Sequence, residues 1–179
     1  AIGAFAAFLL RQPLKIVLKD VRAGRSVPRT LVAWRFAMMY GSIITLAGIV
    51  TLLVVPSFLW AVLIGFSIPL IALQLWHDAK NQSRSLIAEL SGALATGAFA
   101  ASIVSMSDWT LAAAMGLWLV IGVKGITSVL YVRSRLRLER NKPALVSWTL
   151  TAHTVGLGVL LIAVGNGLLP STVLAAMFI

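Results

Sequence analysis

The chain reads as an all-α bundle of helices that cross a lipid bilayer. Hydrophobic residues fill 60% of its 179 positions and charged residues only 11%, against roughly 25% charged in soluble domains. A water-soluble fold is excluded on that ground. The apolar residues gather in runs of about 20, the length a helix needs to cross the hydrocarbon when every backbone polar group must be satisfied within the segment. Lys and Arg fall mostly in the short gaps between those runs.

Five stretches meet the length requirement: residues 31–55, 57–76, 86–105, 109–132 and 144–164. Two partial helices flank them, 1–10, too short to span as it stands, and 168–179, which ends inside an apolar run. The expectation is therefore a single transmembrane helical domain over residues 1–179, N-terminally truncated. Pro69 lies inside the stretch 57–76 and predicts a kink there, with a carbonyl one turn back left for a neighbour. Pro56 and Pro170 fall near helix ends, where a missing N–H costs least. Trp60, Trp76, Trp109 and Trp148 stand near the expected interfaces, as an aromatic belt requires. In the stretch from Leu86, the small residues Ala88, Gly92, Thr96 and Ala100 recur at i+4 spacing and predict close packing against other helices.

The connections alternate in charge. Five bases lie between residues 15 and 29 (Lys15, Lys19, Arg22, Arg25, Arg29), Lys80 and Arg84 follow the second span, and five more lie in 133–142. The turns at Pro56, at 106–108 and at 165–167 carry no Lys or Arg. By the positive-inside rule the basic connections are cytoplasmic, which points to a bacterial inner membrane. The same placement accounts for the net charge of +10 without nucleic acid, since the bases form no single binding face.

Ionisable groups inside spans are costly, and each is a candidate for function. Here they are Arg35, Glu89, Lys124 and His153, with His77, Asp78 and Arg84 at a helix mouth. All lie toward the ends that carry the bases, and the opposite half has only Asp108. That asymmetry predicts a cytoplasm-facing pocket rather than a channel. Each residue also has a plainer reading. Arg35 is placed to snorkel, Glu89 complements a helix N-terminus, and Lys124 forms an ion pair with Glu89 across adjacent helices. His153, between Thr151 and Thr154, serves in helix packing or binds a quinone headgroup. Haem between His77 and His153 is the other cofactor chemistry left open, although two histidines carry no discriminating spacing. Arg133, Arg137 and Arg140 share a helix face suited to anionic lipid headgroups or to a partner subunit. With no cysteine, there is no thiolate nucleophile and no cysteine-based metal site. No P-loop, HExxH or GxSxG run supports ATP-driven transport, zinc proteolysis or serine hydrolysis.

Four stretches carry a resemblance: Phe8-Leu9-Leu10-Arg11-Gln12-Pro13-Leu14; Arg29 and the span to Tyr40-Gly41; Arg84-Ser85-Leu86-Ile87-Ala88-Glu89-Leu90-Ser91-Gly92; and Val129-Leu130-Tyr131-Val132-Arg133-Ser134-Arg135-Leu136-Arg137. In these the chain resembles the YwiC-like bacterial membrane proteins, whose opening Pro-Lys-x-His-Gly-Ala-Trp-like segment it does not contain. The resemblance implies a multi-helix membrane protein of undefined activity and draws attention to Arg84, Glu89, Tyr131 and Arg133. In general layout the chain is also similar to UbiA-type prenyltransferases. Those hold magnesium on a diphosphate with two aspartate-rich motifs; here a comparable loop offers Asp78 alone, followed by Lys80 and Asn81. The expected function is a non-catalytic accessory or assembly subunit that binds lipid or a quinone-like molecule and other membrane subunits, and no metal. An enzyme on an isoprenoid or lipid substrate is the alternative. A small-solute transporter is the third, and it lacks polar groups on both sides of the midplane.

Overall fold

The computed structural model describes residues 2–24, 27–82, 84–107 and 109–177. Asp108, and Arg25 of the first basic connection, lie outside the described residues. The element order is α1 (Ile2–Arg22), α2 (Pro28–Val54), α3 (Leu59–Ala79), α4 (Leu86–Val104), α5 (Leu111–Glu139) and α6 (Val146–Gly165), followed by a 3-10 helix, Ser171–Met177. No strand occurs among the described residues. Helices α2 to α6 are each long and apolar enough to cross a membrane. The protein is thus an all-helical, multi-pass membrane protein, with the five expected spans in place.

Their ends follow local chemistry. Pro28 opens α2 at its first turn, where its missing N–H was unpaired anyway. The Ser85 hydroxyl accepts from the Ala88 N–H at 3.2 Å at the start of α4, and the Thr110 hydroxyl accepts from the Ala113 N–H at 3.2 Å at the start of α5. Four helices close with a left-handed residue: Gly24 at φ 62° after α1, Asn81 at φ 59° after α3, Asn141 at φ 55° after α5, and Gly167 at φ 70° after α6. In the last three, the next N–H reaches back to a last-turn carbonyl: Gln82 to His77, Lys142 to Arg137 and Leu168 to Ala163. This is the Schellman arrangement, for which Asn and Gly are the residue types that tolerate positive φ.

One expectation about the elements changes. The first helix does not stop near Leu10 but runs to Arg22 through Pro13. A hydropathy criterion ends at Arg11, whereas helix formation does not: Lys and Leu are good helix formers, and the buried Pro13 ring packs inward at the cost of one backbone bond. Pro69 lies inside α3, as expected.

The chain forms two compact units, Ala1–Phe58 with Ile71–Ala88, and Leu59–Leu70 with Glu89–Ile179. In the first, α1 packs on α2 through a face that buries Ala6, Pro13, Val17 and Asp20, and through Gly3, where an added Cβ would stand 3.1 Å from that of Ala47. In the second, α5 packs on α6 and α6 on the 3-10 helix. There α4 meets α5 through small residues. A Cβ on Gly125 would lie 2.8 Å from the Cβ of Ala93, and one on Gly97 would lie 2.8 Å from the Trp118 ring. The Trp118 indole N–H donates to the Leu94 carbonyl at 3.0 Å across the same contact.

The buried residues of α4 are Ala88, Ser91, Ala95, Gly97, Ala98, Ala101 and Ser102, not the strict i+4 series, and Thr96 is exposed. Four residues advance about 400°, so an i+4 series drifts about 40° per step off any one face; alternating steps of three and four stay on it. Trp76, Trp109 and Trp148 are exposed, but Trp60 is buried, at 7% exposure, and its indole nitrogen has no hydrogen-bond partner among the described residues. It serves the interior rather than an interfacial belt.

Candidate functional site

In the first unit two carboxylates are almost wholly buried, and both are held by bases from another helix. Asp78, in the last turn of α3, is 0% exposed. The Arg11 guanidinium of α1 donates to its Oδ2 from Nε at 3.2 Å and from Nη2 at 3.1 Å. Lys15 Nζ, one turn further along α1, stands 4.0 Å from Oδ1, and Oδ1 accepts no hydrogen bond among the described residues. With the Gln74 amide turned so that its oxygen faces Arg11, that oxygen accepts from Nη1 at 3.2 Å and Nη2 at 3.1 Å. Gln74 and Asp78 are one turn apart on α3, as Arg11 and Lys15 are on α1, so two i, i+4 pairs meet.

Asp20, 2% exposed, closes the α1–α2 connection. It accepts from Arg29 Nη2 at 2.8 Å on Oδ1, and on Oδ2 from Arg29 Nε at 3.2 Å and from the Thr30 hydroxyl at 2.7 Å. The forked guanidinium is the geometry that suits a carboxylate best. These bonds, from Arg29 first and Thr30 second, hold the Asp20 carboxyl below its ordinary value of 3.8, against a smaller upward push from burial.

The second unit has a more open pair. Arg133 Nε of α5 donates to Glu89 Oε2 at 2.6 Å, both side chains being about a third exposed. Expected to pair with Lys124, Glu89 thus has Arg133 as a partner on α5, two and a half turns beyond Lys124 and nearer the helix end. Around it the α5–α6 turn is tied down: the Ser134 hydroxyl accepts from the Leu145 N–H at 3.1 Å, and Arg137 Nε donates to the Pro143 carbonyl at 2.9 Å. Of the three arginines read as one lipid-facing row, Arg133 and Arg137 therefore make intramolecular bonds, and Arg140 is exposed.

The two histidines have a shared geometry. His153 Nδ1 lies 2.8 Å from the Thr149 carbonyl, and His77 Nδ1 lies 2.9 Å from the Leu73 carbonyl. A carbonyl only accepts, so Nδ1 carries the proton in both, and a neutral ring keeps its lone pair on Nε2. Lys124 is half-buried on α5, and Arg35 and Arg84 are exposed. No group of three or more His, Cys, Asp or Glu side chains able to hold a metal occurs among the described residues.

Sequence reasoning passed over Arg11, Lys15, Asp20 and Thr30 as site residues. Asp20 had a signal, being the one acid among the five bases of residues 15–29. Arg11 had none, because its partner is 67 residues away.

No curated protein and no solved structure matches the chain. A family model, described as YwiC-like protein, matches residues 1–104. That stretch holds Arg11, Asp20, Asp78 and Glu89, and leaves Tyr131–Arg137, part of the resemblance noted above, outside it. With more than half of its length matched, the chain belongs to the YwiC-like family.

Proposed function

We propose that this protein is a non-catalytic accessory or assembly subunit of a bacterial inner-membrane complex, with its basic connections on the cytoplasmic side. In this reading it takes up a lipid or a quinone-like molecule from that side. The observation that carries it is the use made of the carboxylates: Asp20, Asp78 and Glu89, three of the five acidic side chains, are all bonded to arginines. A general acid or base must reach its substrate, whereas a carboxylate held by a forked guanidinium fixes the position of two helices. The isoprenoid-enzyme alternative relies on Asp78 to hold magnesium, and Asp78 already takes its counter-charge from Arg11 and Lys15. For quinone binding, the supporting group is the Nε2 of half-buried His153, with Thr151 and Thr154 beside it.

Two experiments test the reading. Purified in mild detergent from its own membrane, the protein is expected in fixed stoichiometry with other membrane subunits. A monomer stabilised against heat by inorganic diphosphate would instead favour the enzyme. The absence of cysteine makes single-cysteine labelling direct. Lys80→Cys and Arg140→Cys should react only from the cytoplasmic compartment, and Phe58→Cys and Gly167→Cys only from the other. A split of the first pair between the two sides would overturn the topology.

A further inference from the structure

Resting on the lipid-binding reading above, we infer that Lys15 and Lys19 of α1, beside Arg11 locked on Asp78, form a seat for the phosphate of an anionic phospholipid. Trp76 is exposed near the end of α3, and the Lys80 ammonium sits over its ring, 4.3 Å from the centroid. An exposed tryptophan capped by a lysine at the end of a spanning helix belongs at headgroup level, where its ring meets both apolar and polar surroundings. Asp78 lies between those two residues in the same turn. Arg11 and Lys15, which reach Asp78, are therefore at headgroup level as well.

Charge gives the ligand. Arg11, Lys15 and Asp78 together carry a net charge of +1, and Asp78 is wholly buried while the Lys15 side chain is 32% exposed. Lys15 stands 4.0 Å from Asp78, beyond hydrogen-bond distance, so its three N–H donors make no hydrogen bond among the described residues. Lys19 follows one turn later, exposed and within about a quarter turn of the Arg11 direction; its neighbour Asp20 is committed to Arg29 and Thr30. Two lysines with uncommitted donors thus face outward beside a net positive cluster. Toward the start of the same helix, Phe5 and Phe8 are exposed, an apolar surface suited to acyl chains. A phosphate at the lysines with its chains along the phenylalanines satisfies both halves of the helix.

The test uses the whole chain in nanodiscs of phosphatidylcholine with a minor share of phosphatidylglycerol, followed by counting of retained lipid on release into mild detergent. Wild-type protein should retain phosphatidylglycerol in preference to phosphatidylcholine. Lys15→Gln/Lys19→Gln should weaken that preference by roughly an order of magnitude or more, and Lys15→Arg/Lys19→Arg should restore it. Arg135→Gln/Lys142→Gln, with the same loss of charge, should keep most of it. Equal loss in both Gln pairs, or full retention in Lys15→Gln/Lys19→Gln, would overturn the seat. Displacement of the lipid by millimolar inorganic phosphate would overturn its assignment to a lipid. Wild-type protein that shows no preference at all would instead count against the lipid-binding reading itself.

Discussion

The two units hold their helices together by different means. In the first, α1 is tied to α2 by Asp20 with Arg29 and Thr30, and to the end of α3 by Asp78 with Arg11. In the second, α4 and α5 approach through Gly97, Gly122, Gly125 and Ala93, while the charged pair Glu89–Arg133 stays partly open. Between helices in lipid the hydrophobic effect supplies little, because acyl chains are as apolar as leucine. Association there rests on close packing and on polar bonds. Polar bonds dominate near helix ends, where charge is affordable, and glycine contacts dominate where the helices run through hydrocarbon.

That contrast can be broken most sharply at Arg11. Arg11→Met leaves the buried Asp78 carboxylate with only Lys15 at 4.0 Å, and thermal unfolding in detergent should show a loss of about 3 kcal/mol. Adding Asp78→Leu should return most of it. An unchanged melting temperature in Arg11→Met would mean that the polar lock does not hold α1.

The next effect belongs to the second unit. Gly125→Ala sets a methyl group 2.8 Å from the Ala93 Cβ, and neither side chain has a rotamer with which to move away, so the helices must part, at a cost of about 2 kcal/mol. Gly158→Ala on α6, with nothing within 4 Å of the new Cβ, should be neutral or slightly stabilising. Equal melting temperatures for the two variants would show that the α4–α5 approach is not tight.

Smaller is the coupling between Glu89 and Arg133. A double-mutant cycle with Glu89→Gln and Arg133→Met should give about 0.5 kcal/mol, the scale of a partly exposed pair. Coupling of several kcal/mol would place this pair with the buried locks of the first unit.

The contribution of Asp20 changes with pH only in acid. Its carboxyl is held below 3.8 in the folded protein, so its contribution is complete above that pH and is lost as the pH falls through the lowered folded value. Relative to Asp20→Asn, the wild-type advantage in melting temperature should be constant near neutrality and should shrink below pH 3.8. An advantage that grows on acidification would contradict the bonds to Arg29 and Thr30.

Much of the architecture was legible along the chain. Because the need to satisfy backbone hydrogen bonds in lipid acts on each segment alone, five apolar runs marked the five spans within a few residues, except that α5 runs on past the apolar stretch to Glu139. The helix stops at Asn81, Asn141 and Gly167 are equally local, set by which residues accept positive φ. The charged sites were legible only as a set of residue types. Glu89 was identified as a group needing a partner, but its bond to Arg133 depends on the register of α4 against α5. Asp78 was read as a loop-mouth acid, and its burial depends on α1 continuing past Pro13.

Composition and segment length by themselves determined the solvent, the number of spans and the placement of the bases in alternate connections, since those follow from the transfer of single segments between water and lipid. Which carboxylate meets which arginine, which face of α4 is buried and where α1 ends were decided only by tertiary structure. Such contacts join residues tens of positions apart, and their geometry is fixed by how helices approach one another, which no local pattern encodes.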